Sequence, residues 1–300
     1  MALGTTAGVN ECCHMIQPQF PPELKHVMKN PRVVPIFWGH FYVTNPDVVT
    51  KIVNLITDLI TGPYMNGLAQ YGVHRGTVLA EQIIDIIPPA TGPSTIDSDD
   101  DPIGSRLVDW LAASPPKVSP PPNVNEQNLL YVIFLPTESP IIPSGVGGWH
   151  SNRIVNGGPT GSDYDDLFYA VLGTSKASTM PDFASSITRI LGHELVEAFT
   201  DRDGLGFMKE TSCKNSLGQS ETDACEVGDN CEQLPCFTYN VGTRTWQVQR
   251  YWSNWDHNCI MGDQPVSLRT FLNAIGVDGS GGLRQLHSNV INVGFIASRM

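Results

Sequence analysis

The amino-acid sequence predicts an α/β or α+β fold in which a mixed sheet packs on helices, followed by a cysteine-rich second half. In the first half, apolar runs rich in β-branched and aromatic residues alternate with segments of helical periodicity. Further strand-like runs cluster before one long amphipathic helix. Five of the seven cysteines lie between Cys213 and Cys259, in a stretch with little apolar periodicity. Such a stretch builds little core of its own, so we expect disulfides to stabilise it.

The composition limits the classes of function. Of 300 residues, 41% are apolar and 16% are charged, which suffices to fill a core and is unlike a disordered chain. The net charge of −12, with no basic patch, argues against nucleic acid as a partner. No apolar run reaches about 18 residues, so no membrane span is expected. Residues 1–17 do not read as a signal peptide, yet the cysteines favour an extracellular or cell-surface location.

The first predicted elements are a strand, a helix, a second strand and a second helix. The first strand is the apolar and aromatic run Val33–Val43. Asn45 is the predicted N-cap of the first helix, whose apolar residues recur at helical spacing up to Gly62. The second strand is predicted at 76–87, and the second helix from the acidic start at 99–101 to about residue 113.

The second half begins after a proline-rich connector at 114–123. Three strands and the long helix are predicted next, at Leu129–Pro136, Gly145–Arg153, Leu167–Leu172 and Phe183–Phe199. A hairpin that turns at Gly242 is predicted within 239–251. The predicted organisation is an irregular N-terminal arm (1–31), a main domain (32–262, with its cysteine-rich part at 204–262) and a small C-terminal helical appendage (263–300).

The long helix contains the motif HExxE, formed by His193, Glu194 and Glu197. His193 and Glu197 are four residues apart and share one helix face, so an imidazole nitrogen and a carboxylate oxygen can bind one metal ion. Glu194 points about 100° around the helix, beside such an ion, where zinc peptidases place their general base. Because Glu197 replaces the second His of HExxH, the motif is less specific than in those enzymes.

The remainder of this helix is mostly apolar, which predicts that the motif is buried. Burying His193, Glu194 and Glu197 would be costly without a cation or other partners. The alternative is that all three side chains face solvent on an ordinary amphipathic helix.

A metal site needs a third ligand. Asp203 lies ten residues after His193, the spacing of the third ligand in metzincins, although the turning Gly of those enzymes is missing here. Glu226 would instead return from a distant loop, as in gluzincins, and Asp201 and Asp229 are weaker options. Two carboxylates and one imidazole balance a divalent charge, which is compatible with Zn²⁺ as a weaker Lewis acid or with a harder ion such as Ca²⁺ or Mn²⁺.

Four aromatic residues outside the helix are further candidates. His150, in the strand before the motif helix, could line the site or stabilise an oxyanion, and a structural hydrogen bond is the alternative. Trp246, Trp252 and Trp255 flank the hairpin and could form a substrate platform or pack in the core.

Several segments in order resemble the Exordium, or phosphate-induced, family. The opening run 34–41 (VPIFWGHF) and the segments 148–151 (GWHS) and 168–171 (FYAV) resemble its first half. The motif helix at 192–201 (GHELVEAFTD) resembles the HELxEAxTDP pattern of microbial members, with Arg202 in place of Pro. The run 226–231 (EVGDNC) resembles their EIGDxC, and 251–254 with Cys259 resembles their closing segment.

This resemblance implies a secreted or cell-surface protein with a zincin-like helix, and we expect the main domain (32–262) to be zincin-like. It favours Glu226 as the third metal ligand and implies a disulfide between Cys231 and Cys259.

Our leading hypothesis is a metal-dependent hydrolase, a zinc metallopeptidase acting on a peptide or protein substrate. In this hypothesis His193 and Glu197 bind the ion together with Glu226 or Asp203, and Glu194 is the general base. One alternative is a non-catalytic secreted or cell-surface protein in which the same residues hold a structural ion. Another is a surface-binding protein that acts through its tryptophans.

Overall fold

The structure is a computed structural model of the chain, and all the residues it describes belong to the unit Met1–Gln264. It describes residues 27–88, 102–119, 127–136, 139, 147–154, 166–173, 180–202, 226–232, 234–253, 256 and 258–262. The predicted appendage 263–300 and most of the predicted arm lie outside these residues. Within the described part of the chain, no helix combines the length and the apolar character needed to cross a membrane.

The first strand, β1 (Arg32–Trp38), is shorter than predicted. At Gly39 the backbone turns with a φ of 121°, a conformation that other residues rarely adopt. The chain then forms the short helix α1 (His40–Thr44), so the prediction of strand for residues 40–43 is wrong. The aromatic and β-branched content of this run fits a buried strand and a short buried helix equally well, and only the glycine marks the change.

The predicted first helix is confirmed as α2 (Pro46–Thr61), and its buried apolar residues recur every three or four positions. Asn45 occupies the N-cap position, but its side chain makes no capping hydrogen bond; its amide nitrogen donates to the carbonyl oxygen of Phe41 at 2.8 Å. A 3₁₀ helix at Pro63–Tyr71 follows.

Among the described residues, β1 and five further strands form one mixed sheet: β2 (Thr77–Val78), β3 (Gln82–Ile84), β4 (Leu129–Leu135), β5 (Gly148–Ile154) and β6 (Asp166–Gly173). The strand order is β2–β1–β4–β6–β5, with β3 also paired to β1. The predicted strand at 76–87 is two short strands, each parallel to β1. Strands β1, β4 and β6 are parallel to one another, whereas β5 runs antiparallel to β6 at the end of the sheet. The prediction of a mixed α/β fold is confirmed at this level.

Both faces of the sheet are covered, which explains why its central strands are continuously apolar rather than alternating. On one face, alternate residues of β4 such as Val132 pack with α2 and with the long helix α4 (Met180–Thr200). On the other face, the intervening residues such as Ile133 pack with α3 (Pro102–Ala112). Because α4 contacts β5 and β6, its motif lies beside the antiparallel end of the sheet.

The region after α4 consists of short elements that pack on the same face as α4. The predicted hairpin is confirmed: its two strands pair in antiparallel register and turn at Gly242, where φ is 58°. The elements are a 3₁₀ turn at Asp229–Cys231, β7 (Phe237–Val241), β8 (Arg244–Val248), β9 (Tyr251–Ser253) and β10 (Asn258–Ile260).

A disulfide joins this region internally. Cys231, in the 3₁₀ turn, is bonded to Cys259, in β10, with Cα atoms 5.8 Å apart. This is the pair that the family resemblance implied. The bond anchors the segment 226–232, which contributes two carboxylates to the site described next.

Candidate metal centre

The second half of α4 is buried on nearly all sides, which confirms the prediction that the motif is enclosed. Its apolar residues, among them Leu191, Leu195 and Phe199, are at most 1% exposed. The motif carboxylates are enclosed with them, since Glu194 is 3% and Glu197 is 2% exposed. The solvated alternative for the three motif residues therefore does not hold for these two carboxylates.

His193, Glu197 and Asp229 bring three ligand atoms together. His193 Nε2 lies 3.2 Å from Glu197 Oε2 and 3.6 Å from Asp229 Oδ1, and the three atoms lie within 4.8 Å of one another. Two ligands bound to one tetrahedral Zn²⁺ at 2.0–2.1 Å lie about 3.3 Å apart, so this spacing suits a shared ion. The side chain of Asp229 is 49% exposed and that of His193 is 17% exposed, so the trio faces solvent on one side.

Gly228 lets the segment 226–232 approach the helix this closely. A Cβ atom at this position would lie 2.5 Å from Glu197 Oε1 and 2.9 Å from His193 Nδ1. With no side chain in the way, the backbone N–H of Asp229 donates to Glu197 Oε1 at 2.9 Å. Glu197 is thereby held with one oxygen bound to backbone and the other directed at His193.

The two acidic residues of this trio have raised pKa values. Burial and the neighbouring carboxylates Glu226, Asp229 and Glu194 raise the pKa of Glu197 well above its ordinary value. Burial also raises the pKa of Asp229, to about 6, although the neighbouring His193 opposes the rise. Both raised pKa values show that a further negative charge is unfavourable at this position. A bound divalent cation would lower the pKa values of both carboxylates.

His150, on the edge strand β5, has both ring nitrogens directed at oxygen acceptors. Its Nδ1 lies 3.6 Å from Glu194 Oε2, and its Nε2 lies 3.5 Å from Glu226 Oε1 and 3.3 Å from the carbonyl oxygen of Asp201. Burial lowers the pKa of His150, but the hydrogen bond with Glu194 and the charges of Glu226, Glu194 and Asp201 raise it to about 9. The carboxylates around His150 therefore favour its protonated form.

His150, Glu197 and Glu226 also have ligand atoms within 4.8 Å of one another. We favour the His193 trio as the ion site because His193 Nε2 lies 3.2 Å from Glu197 Oε2 and 3.6 Å from the half-exposed Asp229 carboxylate. Both ring nitrogens of His150, by contrast, are directed at protein oxygens.

The cluster as a whole has more negative than positive charge. Its four carboxylates are Glu194, Glu197, Glu226 and Asp229, and among the described residues their ion-pair partners are His150 and His193. Buried carboxylates that exceed the available positive charge either share protons or bind a cation. The arrangement is therefore able to hold a divalent ion.

The structure brings most of the predicted site residues together. His193 and Glu197 are adjacent, Glu194 is next to His150, and Glu226 also faces His150. Asp203 lies outside the described residues. The third member of the trio is Asp229, which the sequence analysis gave as a weaker option than Glu226 or Asp203.

Gln249 was not predicted as a site residue. It lies between two strands, is 2% exposed, and its amide nitrogen is 3.0 Å from His193 Nδ1. A single glutamine in a polar stretch gives no sequence signal for such a contact.

The tryptophans do not form an exposed platform in the described part of the chain. Trp246 is 9% and Trp252 is 6% exposed, and both belong to the core. Trp255 lies outside the described residues.

Comparisons with known proteins return no relative. No family model matches this chain, no curated protein is similar to it, and no solved structure matches its fold.

Proposed function

We propose that this protein is a metal-dependent hydrolase of peptide bonds, with Zn²⁺ held by His193, Glu197 and Asp229. The observation that supports this most is the spacing of their three ligand atoms in an environment with excess negative charge. Glu226, the third ligand favoured by the family resemblance, is adjacent and could replace Asp229. The two carboxylates and one imidazole are also compatible with Ca²⁺ or Mn²⁺.

Zn²⁺ held by His193, Glu197 and Asp229 would supply Lewis acidity to the substrate carbonyl and to a water. Glu194 accepts the proton of the attacking water and returns it to the leaving amine. The imidazolium of His150, 3.6 Å from Glu194, orients that carboxylate and contributes positive charge where an oxyanion develops. The exposed side of Asp229 marks the direction from which substrate would approach.

The proposal also includes a zincin-like domain, membership of the Exordium family and a secreted or cell-surface location. The position of the motif helix beside the antiparallel strand β5 supports a zincin-like domain. The sequence segments that resemble the Exordium family, and that follow one another in the same order, support membership of that family. The disulfide between Cys231 and Cys259 supports a secreted or cell-surface location, because such bonds persist in oxidising compartments.

A structural ion is the second candidate. An ion bound by His193, Glu197 and Asp229 would link α4 to the disulfide-anchored segment 226–232 and so stabilise the fold without catalysis. The near-complete burial of Glu194 favours this candidate, because a general base must reach a water and a substrate.

Two measurements test the proposal. Elemental analysis of the purified protein should find about one zinc per chain, lost in His193→Ala. Glu194→Gln should keep the ion and lower the hydrolysis of a fluorogenic peptide library at least about 100-fold, since it removes the base. Glu81→Gln, the same change at an exposed position, is the control and should change neither property.

The outcomes separate the candidates. A protein that binds zinc but hydrolyses no peptide, before or after Glu194→Gln, is evidence for the structural ion. A protein that binds no divalent ion at millimolar zinc overturns both.

A further inference from the structure

Gln249 occupies a fixed position between β8 and β9. Its side chain is enclosed, and its backbone carbonyl accepts a hydrogen bond from the hydroxyl of Tyr64 at 2.9 Å. The amide nitrogen lies 2.8 Å from the carbonyl oxygen of Gly228 and 3.0 Å from Nδ1 of His193. One amide group therefore contacts both the proposed ligand His193 and the segment that contains Asp229.

The chemistry of the amide determines the form of the imidazole. A primary amide nitrogen carries two hydrogens and accepts none, so it donates one to Gly228 and directs the other at His193 Nδ1. Nδ1 must then be the unprotonated nitrogen. In the neutral ring the hydrogen is on Nε2, the atom that lies 3.2 Å from Glu197 Oε2.

Ion binding needs the opposite arrangement. A metal bound at Nε2 requires the lone pair there, so the hydrogen must be on Nδ1 and must meet an acceptor. A half turn of the Gln249 amide supplies its oxygen to Nδ1 with almost no change of shape. The same turn removes the hydrogen bond to Gly228 and leaves two oxygens facing each other.

We propose that Gln249 is a positioning residue that selects the tautomer of His193 and links ion binding to the segment around Gly228. This inference rests on the proposed ion site. When the amide nitrogen of Gln249 faces His193, it stabilises the tautomer with the hydrogen on Nε2, which cannot bind an ion. When the amide oxygen faces His193, it stabilises the tautomer with the hydrogen on Nδ1, which can bind an ion through Nε2, and the hydrogen bond to Gly228 is lost. The proton only moves from Nε2 to Nδ1, so no net proton is gained or lost.

Gln249→Glu should stabilise the arrangement in which an oxygen of residue 249 accepts a hydrogen bond from Nδ1–H of His193. A carboxylate accepts from Nδ1–H and cannot donate to Nδ1 or to Gly228, so the form that cannot bind the ion loses its support. Partners of this kind change metal affinity by about 10–100-fold, and we expect zinc to bind at least about 10-fold more tightly to the variant. Gln247→Glu, which adds the same charge two residues away where Gln247 bonds to Thr238, is the matched control. It should change the affinity less than about 2-fold.

The tautomer itself is read by ¹⁵N NMR of metal-free protein with labelled histidine. At about pH 8.5, His193 should carry its hydrogen on Nε2 in the wild-type protein and in Gln247→Glu, and on Nδ1 in Gln249→Glu. A merely structural glutamine would leave this signature unchanged. Equal zinc affinities for the two glutamate variants, or the same tautomer in both, overturn the inference. If no protein binds zinc, the proposed function fails, while the NMR spectra still decide the role of Gln249.

Discussion

Two buried carboxylates in this protein differ in what surrounds them. Asp58, in α2, is 3% exposed and accepts hydrogen bonds from Arg244 Nη2 at 2.6 Å, Arg244 Nε at 2.7 Å and Trp246 Nε1 at 2.8 Å. Glu197, equally buried, faces other carboxylates, two imidazoles and one backbone N–H. The first group is fully paired by the protein, and the second is not.

This difference separates a structural acid from a candidate ion site. A carboxylate that has a guanidinium and an indole N–H as partners needs nothing further. A carboxylate among like charges has a raised pKa and gains most from a cation that the chain does not supply. The burial of an acidic residue is therefore weak evidence for an ion site until its partners are counted.

The largest effect should come from neutralising the two carboxylates in turn. Asp58→Asn places an amide opposite Arg244 and Trp246 and should lower the free energy of unfolding by about 3 kcal/mol. Glu197→Gln removes a charge from among like charges, so in the presence of a chelator it should change that free energy by less than about 1 kcal/mol. Urea unfolding measures both.

Zinc completes the contrast. Asp58→Asn should keep the stabilisation that zinc confers on the wild-type protein, and Glu197→Gln should lose it. If Glu197→Gln lowers the free energy of unfolding as much as Asp58→Asn does in the presence of a chelator, protein groups alone compensate the charge of Glu197. The comparison between the two regions is then wrong.

The next effect is a pH dependence that belongs to the Glu197 cluster. The pKa of His150 is about 9 in the folded protein, against 6.5 for the ordinary group. A raised histidine pKa gives stability that is fully present below about pH 6.5 and is lost as the pH rises through about 9. The loss in metal-free protein should be on the order of 2 kcal/mol, since relaxation of the cluster offsets part of the shift.

Chemical unfolding at a series of pH values measures this loss. His150→Gln should flatten the profile between about pH 6.5 and 9, because the titrating group is gone. His40→Gln, which removes an exposed histidine paired with Asp85, is the control and should leave the profile as in the wild-type protein. A wild-type profile that is flat over this range would show that His150 is not held as an imidazolium.

The sequence predicts the parts of this molecule that depend on local pattern. The periodicity of α2 and α4, the apolar run of β4 and the turn at Gly242 are each visible within a short window, and the structure confirms all four. The proximity of His193 and Glu197 is also predictable from the sequence, because side chains four residues apart on a helix lie on the same face.

The sequence does not predict contacts that depend on tertiary packing. Asp229, His150 and Gln249 meet α4 only because the sheet edge, the 3₁₀ turn and the segment between β8 and β9 converge there. The sequence offers His150 as a candidate site residue and Asp229 as a weaker metal ligand, but it does not show that they meet, and it gives no signal for Gln249. The break at Gly39 was missed for a related reason, since a positive φ is a property of the folded backbone.

A small effect on metal-free stability is also expected from Gly228→Ala, which tests whether the close approach of the segment 226–232 creates the ion site. The backbone at Gly228 has φ −78° and ψ −47°, which alanine adopts without strain. The new methyl group meets Glu197 and His193, so metal-free stability should fall by only about 1 kcal/mol while the zinc-induced stabilisation disappears. Gly192→Ala, beside His193 on α4 but facing Tyr64, is the matched control and should keep the response to zinc. If Gly228→Ala binds zinc as the wild-type protein does, the ligands are not those that converge at this glycine, and the contrast with Asp58 then rests on charge alone.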